Sequence, residues 1–322
     1  MKPRIAAVAA MLAAAVLCAG AAAQDFPVRE LRSICNFAPG SGADILVRFY
    51  SDKLSKLAGR PVVVENKPGA NGALATGELA RARPDGHTLM ITPASSTIAS
   101  APHLFKSLPF DTQKDFQAVT TIATLSFMLM VDAAKPIKSV EELVRHLKTR
   151  PAEGFYGTSN NTGVIAAELF KHAAGLKTTY APYKANAQAL TDLLQGQVDF
   201  LSYDATWALA QAKGGRVRVL AATASRRSIA FPEVPTLGEL GYGANDVTSW
   251  WGVVVPAGTP RPVVEQLSRW FNQITGEDDT RQFLARAAFE AFPGSPDQMS
   301  ALLKTDAARW KGYVELANIQ PQ

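Results

Sequence analysis

The chain has 322 residues, of which 47% are hydrophobic and 19% are charged, a composition typical of globular proteins. The length suits one very large domain or two domains of moderate size. The formal net charge of +5 falls to about +3 without Lys2 and Arg4 of the N-terminal segment, which is too mild a charge to favour nucleic-acid binding.

The N-terminal segment has the pattern of a secretory signal peptide. Two basic residues precede an apolar run over residues 5–23, which ends in three alanines. This order predicts a signal peptide over 1–23, cleaved near Ala23, with a structural helix as the alternative. Cys18 follows Leu17, where a lipoprotein signal has a small residue. We therefore expect a soluble exported protein rather than a lipoprotein.

Cleavage would leave Cys35 as the only cysteine, so an intramolecular disulfide is excluded. The residue lies in an apolar strand pattern, which favours a buried, unreactive thiol over a nucleophile. No other run reaches the roughly twenty apolar residues of a membrane span.

Predicted strands and helices alternate along the first hundred residues after Gln24. Strand, helix, strand, helix and strand in succession indicate a parallel sheet with helices on its faces. The segments are "RSICNF" (strand), "ADILVRFYSDKLSKLAG" (helix), "PVVVEN" (strand), "ALATGELARARP" (helix) and "HTLMIT" (strand). In the last of these, His87 is interpreted as an exposed strand residue.

A second alternating series follows, and the tail then returns to strand and helix patterns. The series contains the strands "AVTTIATLSFMLMVDA", "GFYGTS", "TTYAPY", "VDFLSYD" and "RVRVLAATA", the helices "SVEELVRHLKTR", "GVIAAELFKHAAG", "NAQALTDLLQGQ" and "ATWALAQAKGG", and the tail elements "SWWGVVVPAG", "PRPVVEQLSRWFNQIT", "TRQFLARAAF" and "DQMSALLKTDAARWKGYVELA".

Two α/β units are therefore predicted, with chain crossings near Ser126 and Ser249. They divide the chain into one lobe over 24–125 plus 249–322 and a second over 126–248. Such an arrangement leaves a cleft between the lobes, which is a favoured place for small ligands.

The segment "APGSGAD", Ala38 to Asp44, leaves a strand and enters a helix through small residues. Backbone N–H groups at such a helix N-terminus can bind an anion. The lysine of a phosphate-binding loop and the third glycine of a dinucleotide site are missing, and Ser41 is one residue out of register for a nucleophile elbow. A tight turn without a ligand is the structural alternative.

Polar groups also follow other predicted strands. The hydroxyls of Ser95 and Ser96 come after the strand that ends at Thr92, and ligands bind α/β sheets at such carboxyl ends. The segment "GTSNNTG", Gly157 to Gly163, precedes a helix and is explained by N-capping alone.

Seven segments, in order along nearly the whole chain after residue 26, resemble the Bug family of periplasmic solute-binding receptors, the extracytoplasmic receptors of tripartite tricarboxylate transporters. They are "NFAPGSGADILVR", "VVVENKPGANGALATGELARARPDGHTLMI", "LPFDTQKDFQAV", "YAPYKANAQALTDLLQGQVD", "RVLAATASRRS", "FPEVPTLGELGY" and "WWGVVVPAGTP".

The resemblance implies a type II-like periplasmic binding protein, α/β in class, whose two lobes are mainly parallel sheets flanked by helices and close on a small carboxylate. It further implies a periplasmic monomer that delivers an organic acid (a di- or tricarboxylate, an aromatic acid or an amino acid) to inner-membrane transporter subunits, with no catalytic residue, cofactor or metal.

In that family, the turn after the first strand and a turn before a second-lobe helix hold the ligand carboxylate, and these turns correspond to Ala38–Asp44 and Gly157–Gly163. Tyr203 or Trp207 is expected to touch the ligand. Lys184 could pair with a second carboxylate, with a solvated lysine as the default alternative. The predicted ligand-binding residues are Ala38, Gly40, Ser41, Gly42, Ala43, Asp44, Thr92, Ser95, Ser96, Thr158, Ser159, Asn160, Asn161, Thr162, Gly163, Tyr183, Lys184, Tyr203, Asp204 and Trp207.

The sequence departs from the family pattern at the pocket, where the second turn is shorter than usual and Val164, Ala185 and Trp207 replace common residues. Two alternatives remain open. The same fold could act as a ligand sensor for a membrane kinase, or the chain could be an exported hydrolase using Ser41 or Ser95, for which no general base can be named.

Overall fold

The structure, a computed structural model, describes residues 26–150, 154–243 and 246–321, so the predicted signal peptide lies outside the described residues. The strands are β1 (Leu31–Cys35), β2 (Val62–Asn66), β3 (Thr88–Thr92), β4 (Phe116–Asp132), β5 (Phe155–Thr158), β6 (Thr179–Pro182), β7 (Phe200–Asp204), β8 (Val217–Ala222), β9 (Thr248–Pro256) and β10 (Glu290–Ala291). The helices are α1 (Gly42–Ala58), α2 (Ala73–Ala80), α3 (Ala101–Leu104), α4 (Val140–Thr149), α5 (Asn161–Ala174), α6 (Asn186–Leu194), α7 (Ala205–Lys213), α8 (Arg261–Gly276), α9 (Asp278–Arg286) and α10 (Pro296–Leu316).

The ends of α1 and α5 follow from their sequences. Ser41 caps α1 by accepting a hydrogen bond from the N–H of Asp44, and Asn160 caps α5 by accepting one from the N–H of Gly163. Both helices end at a glycine in the left-handed region, Gly59 and Gly175, where a side chain would be strained. Each helix therefore begins immediately after the turn that follows a strand.

The strands form two mixed sheets joined through β4. In the first sheet the order is β2-β1-β3-β9-β4, with β10 on the outer side of β4; in the second it is β6-β5-β7-β4, with β8 beyond β4. Strands β1, β2 and β3 are parallel, as are β5, β6 and β7. The two predicted α/β units are confirmed. The antiparallel pairs are those of β4 and β9, the strands that run between the two units.

Strand β4 exchanges its partners at one point, which we call the crossover. Up to Ser126 it pairs with β9, and from Phe127 onward it pairs with β7 and β8. Register shifts interrupt its ladders between Ala118 and Thr120, Thr121 and Ala123, and Leu129 and Met130. The crossover coincides with the predicted crossing near Ser126, while the exact lobe boundaries stay a prediction.

Helices cover both faces of each sheet, so the central strands are buried on both sides, whereas the edge strands β2 and β6 are partly exposed. Helices α1, α8 and α9 pack on one face of the first sheet and α2 and α10 on the other. In the second sheet, α4 and α5 cover one face and α6 and α7 the other. A further apolar cluster joins the lobes, because Trp310 and Val314 of α10 pack with Ile165 and Ala166 of α5.

Cys35, predicted to be a buried thiol, is fully buried in β1, and Trp250 and Trp251 are buried in β9. The interpretation of His87 as exposed was wrong: it is 5% exposed and its ring lies edge-on to Phe26 at 5.1 Å between centroids. Across the residues that the structure describes, no helix combines the length and the apolar character needed to cross a bilayer.

The adjacent residues Leu193 and Leu194 of α6 test the core assignment. Leu193 is fully buried and Leu194 is 43% exposed. We expect Leu193→Ala to lower the free energy of unfolding by about 2–5 kcal/mol, because it removes buried methyl groups and leaves a cavity. Leu194→Ala should change it by less than about 1 kcal/mol. Urea unfolding followed by circular dichroism measures both, and equal losses would contradict the packing described for α6.

Candidate functional site

The carboxyl ends of the parallel strands in both sheets point to the crossover. At the end of β3, Thr92 lies opposite Gly252 of β9, and β9 begins with Thr248 opposite Ser126. At the end of β7, Asp204 lies opposite Phe127. Because β1 runs parallel to β3 and β5 parallel to β7, the turns after all four strands lie at edges that meet at the crossover. Ligands of α/β proteins bind at such edges.

The turn after β1, Ala38–Asp44, presents backbone N–H groups at the start of α1. The N–H of Gly40 donates to Asp44 and that of Asp44 to the Ser41 hydroxyl. Among the hydrogen bonds of the described residues, none uses the N–H of Gly42 or Ala43, the first two residues of the helix. A Cβ added at Gly42 would meet no atom of another part of the chain within 4 Å, so the space beside this first helical residue is open. The turn can therefore accept an anion.

Asp44 has partners for both carboxylate oxygens inside the turn. Its Oδ2 accepts from the N–H of Gly40 at 2.8 Å and from Arg48 Nε at 2.9 Å, and its Oδ1 accepts from Asn66 Nδ2 at 2.7 Å. Burial alone would raise the pKa of this 1% exposed carboxyl, but Arg48, Asn66 and Gly40 together lower it to about 2. These bonds fix the conformation of the turn. Asp44 therefore positions the backbone N–H groups of the turn.

The turn after β5, Gly157–Gly163, repeats this arrangement in the second lobe. Asn160 occupies the N–H of Gly163 with its side chain and that of Val164 with its carbonyl. No hydrogen bond of the described residues uses the N–H of Asn161 or Thr162. The helix lies close on β7, since a Cβ on Gly163 would fall 2.2 Å from Thr158 Oγ1 and 2.6 Å from the Ser202 carbonyl. Glycine is thus required for α5 to begin at this depth.

Buried hydroxyl groups without partners surround this second turn. Thr158 Oγ1, Ser202 Oγ and the Tyr203 hydroxyl are inaccessible and make no hydrogen bond of good geometry within the described part of the chain. Burial raises the pKa of Tyr203 to about 12, with the nearby Ser159 hydroxyl opposing the rise. An unsatisfied buried hydroxyl costs about 1–3 kcal/mol. An acceptor atom brought in by a ligand or a water molecule would remove part of that cost.

The other predicted residues lie at the same strand ends but have partners. Thr92 donates to Asn36 Oδ1 at 3.1 Å, Ser95 accepts from the N–H of Trp250 at 3.2 Å, and Ser96 bonds weakly to the Pro93 carbonyl. That Thr92, Ser95 and Ser96 contact the ligand stays a prediction. The bonds of Thr92 and Ser95 tie the end of β3 to β1 and β9.

In the second lobe, the rings of Tyr203 and Trp207 are in contact, with centroids 4.5 Å apart and planes tilted by 44°, and Asp204 caps α7 by accepting from the N–H of Trp207. Tyr183 donates its hydroxyl to Asp192 at 2.7 Å. Lys184 is exposed beyond β6. Tyr203 is fully buried, its hydroxyl group included, so the expectation that it touches the ligand stays a prediction.

Sequence reasoning missed three asparagines that shape the site. Asn36 follows β1 and links it to Thr92, Asn66 ends β2 and holds Asp44, and Asn186 accepts from the Ser159 hydroxyl at 2.6 Å. In the sequence, Asn36 directly follows one apolar strand and Asn66 ends another. A polar residue at a strand end was the signal that could have identified both.

A pocket of about 140 Å³ opens beside the crossover, and we call it the crossover pocket. Of the predicted site residues, Thr162 alone lines it. The walls come from both lobes: Thr124, Leu125 and Ser126 of β4; Thr162 and Ile165 of α5; Ala224, Ser225 and Arg226 after β8; Asp246, Val247, Thr248 and Trp250 at β9; Glu290 and Phe292 at β10; and Leu302, Asp306, Arg309, Trp310 and Tyr313 of α10.

The hydrolase alternative receives no support from the geometry. The Ser41 hydroxyl accepts the α1 cap bond, and the Ser95 hydroxyl accepts from the backbone of β9. Within the described residues, no His, Cys, Asp and Glu side chains form a group of three or more that could hold a metal ion.

Comparisons with known proteins agree with one another. A family model described as tripartite tricarboxylate transporter family receptor matches residues 46–319. A UPF0065 protein of Bordetella bronchiseptica is 32% identical over 303 residues, which cover 94% of this chain and 89% of that protein. Protein BugT of Bordetella pertussis is 28% identical over 96% of each chain.

Solved structures show the same similarity. The structure of R. palustris Rpa4515 with adipate has a TM-score of 0.80 at 30% identity, covering 92% of this chain and 100% of that one. MatC from Rhodopseudomonas palustris with bound malate has a TM-score of 0.74 at 27% identity, covering 90% and 100%. The periplasmic binding protein BugD has a TM-score of 0.76 at 25% identity, covering 92% and 100%. The resemblance stated from the sequence is confirmed, as is the two-lobed fold class.

The low pKa of Asp44 makes a prediction about stability and pH. A carboxyl whose folded-state pKa is depressed stabilises the fold above its unfolded-state pKa, and this contribution is lost as the pH falls through the folded-state value. For Asp44 the window runs from its ordinary pKa of 3.8 down to about 2. We expect wild type to lose about 2 kcal/mol more than Asp44→Asn between pH 6 and pH 2.

Chemical unfolding at a series of pH values measures this difference. Asp52→Asn on the same helix is the matched control. Asp52 is exposed and, within the described residues, its ion pair is with the exposed Lys56, a kind of pair that contributes little. Parallel pH profiles for wild type and Asp44→Asn would contradict the role given to Asp44.

Proposed function

Because the chain belongs to the tripartite tricarboxylate transporter receptor family, we propose that it is a periplasmic receptor that traps a small organic carboxylate between its lobes and delivers it to the membrane subunits of a tripartite tricarboxylate-type transporter. In this proposal residues 1–23 direct export and are removed. No chemical reaction is required.

The observation that carries the proposal is the pair of helix N-termini at the crossover. Each of α1 and α5 begins with two N–H groups that have no partner among the described residues, Gly42 and Ala43 in one lobe and Asn161 and Thr162 in the other. Hydrogen bonds to a charged acceptor contribute about 1.5–3 kcal/mol each, and a helix N-terminus adds a favourable dipole. Two such ends on different lobes favour lobe closure around one anion.

The hydroxyl groups of the second lobe support a carboxylate in particular. Thr158 and Tyr203 place buried, unpartnered hydroxyls beside the turn at α5, and a carboxylate has two oxygens that can accept several bonds. Neither turn contains Lys or Arg, so the seat is built for recognition by N–H and O–H donors rather than by a salt bridge. The adipate and malate bound to Rpa4515 and MatC are carboxylates of the proposed class.

A thermal-shift screen tests the ligand class. Binding to the folded state alone raises the melting temperature, by a free energy of about 2.7 kcal/mol at a ligand concentration of 100 Kd. We expect at least one acid in a panel of mono-, di- and tricarboxylates, aromatic acids and amino acids to raise the melting temperature of ligand-free protein, and its amide or methyl ester to fail. If no acid of the panel stabilises protein that mass spectrometry shows to be ligand-free, the carboxylate proposal is wrong.

Gly42→Val tests the first turn. The new side chain would project into open space at the start of α1, so the protein should stay folded, and we expect the added bulk to keep the anion away from the N–H groups. We expect the affinity for the acid found above to fall at least about 100-fold in isothermal titration calorimetry, the equivalent of about 2.7 kcal/mol.

Gly276→Val is the matched control, since a Cβ at Gly276 also meets no atom within 4 Å and the residue ends α8. It should bind as wild type does. Unchanged affinity in Gly42→Val would remove the first turn from the ligand site.

A further inference from the structure

The crossover pocket adjoins the carboxylate seat through Thr162. This residue has one of the unpaired N–H groups at the start of α5, and it also lines the pocket. A ligand whose carboxylate sits at α5 can therefore extend into the pocket, whose volume of about 140 Å³ is enough for a short chain and its end group. The chemistry of the pocket then determines what that end group is.

The pocket holds more carboxyl groups than guanidinium groups. Arg226 lies 3.8 Å from Glu290, and Arg309 lies 3.5 Å from Asp306. Asp246 is the remaining carboxylate: its Oδ1 accepts from the N–H of Ser225 at 3.1 Å, and in the described ranges it has no ion-pair partner.

The carboxyl group of Asp306 lies in the same pocket, and its pKa indicates the electrostatic environment there. It is 8% exposed, accepts a hydrogen bond from the Trp250 indole N–H, and has Arg309 one turn further along α10. Its pKa is nevertheless raised, chiefly by burial, with the nearby charge of Asp246 adding to the rise. Burial together with the charges of Asp246 and Asp306 likewise raises the pKa of Tyr313, although Arg309 opposes this. A further negative charge is therefore unfavourable here.

Trp310 and Tyr313 also line the pocket, on the side formed by α10. Aromatic side chains next to a carboxylate are suited to bind an ammonium group, because a cation is attracted both by the ring and by the opposite charge. An incoming carboxylate would instead be repelled by Asp246, and it would compete with Glu290 and Asp306 for the two guanidinium groups of the pocket.

We propose that the crossover pocket binds the distal end of the ligand and selects a cationic amine there, so that the preferred ligand is an amino-carboxylate rather than a dicarboxylate. This inference rests on the proposed function, because it requires the carboxylate to be held at α5. Asp246 is the specificity-determining residue.

Acids of equal chain length test the proposal by isothermal titration calorimetry. The probes are 6-aminohexanoate, adipate and hexanoate, with 4-aminobutyrate, succinate and butyrate as a shorter set. In the set whose length fits, we expect the amino acid to bind at least about tenfold tighter than the dicarboxylate and tighter than the plain acid. Equal or tighter binding of the dicarboxylate in both sets would overturn the proposal.

Asp246→Asn separates the effect of charge from that of shape. The amide oxygen can still accept from Ser225, so the local backbone should be retained, and circular dichroism checks the fold. We expect this variant to bind the amino acid about tenfold more weakly and the plain acid within about twofold of wild type. Asp52→Asn, which removes an exposed carboxylate far along α1, is the control and should bind every probe as wild type does.

The outcomes distinguish this inference from the proposed function. If plain acids bind and Gly42→Val abolishes their binding, while neither an amine nor Asp246 matters, the further inference alone is wrong. If no acid of either set or of the broader panel binds, the proposed function fails and the inference fails with it.

Discussion

The continuity of β4 is the constraint on which the rest of the structure depends. One strand of 17 residues belongs to both sheets and exchanges its neighbours between Ser126 and Phe127. Because β3 and β7 are tied to this strand, directly or through β9, the carboxyl ends of both parallel sets must meet there. Each βαβ unit then places a helix N-terminus at the same point, so the two proposed anion seats match as a consequence of topology.

Several polar side chains near the two proposed seats are hydrogen-bonded to other residues, so the seats would rely on backbone N–H groups and on the unpartnered hydroxyls of the second lobe. Asp44, Arg48 and Asn66 satisfy one another while fixing the first turn, and Ser159 is bound to Asn186 in the second. Recognition by N–H groups and hydroxyls has low intrinsic selectivity among carboxylates, since every carboxylate presents the same two oxygens. Discrimination among ligands would therefore come from the residues that surround the proposed seats.

The order of the elements, the crossing near Ser126 and the positions of the turns after β1 and β5 could be predicted from the sequence. The spacing of hydrophobic residues and the residues typical of turns can be read from short segments of the chain. Features that depend on distant partners could not be predicted in this way. His87 was interpreted as exposed because nothing local indicates that Phe26 covers it, and the role of Asp44 depends on Asn66, 22 residues away. The crossover pocket draws on segments from residue 124 to residue 313, and only the folded chain brings their charges together.

Cys35 has a practical consequence for measuring how the lobes move. It is the only cysteine after the predicted cleavage site, it is fully buried in β1, and burial raises the pKa of its thiol. A thiol of this kind reacts slowly with alkylating dyes, because the thiolate is the reactive form. A pair of cysteines introduced at the surface, one on each lobe, can thus be labelled with fluorophores in the natural background, and the distance between the dyes would then report opening and closing in solution.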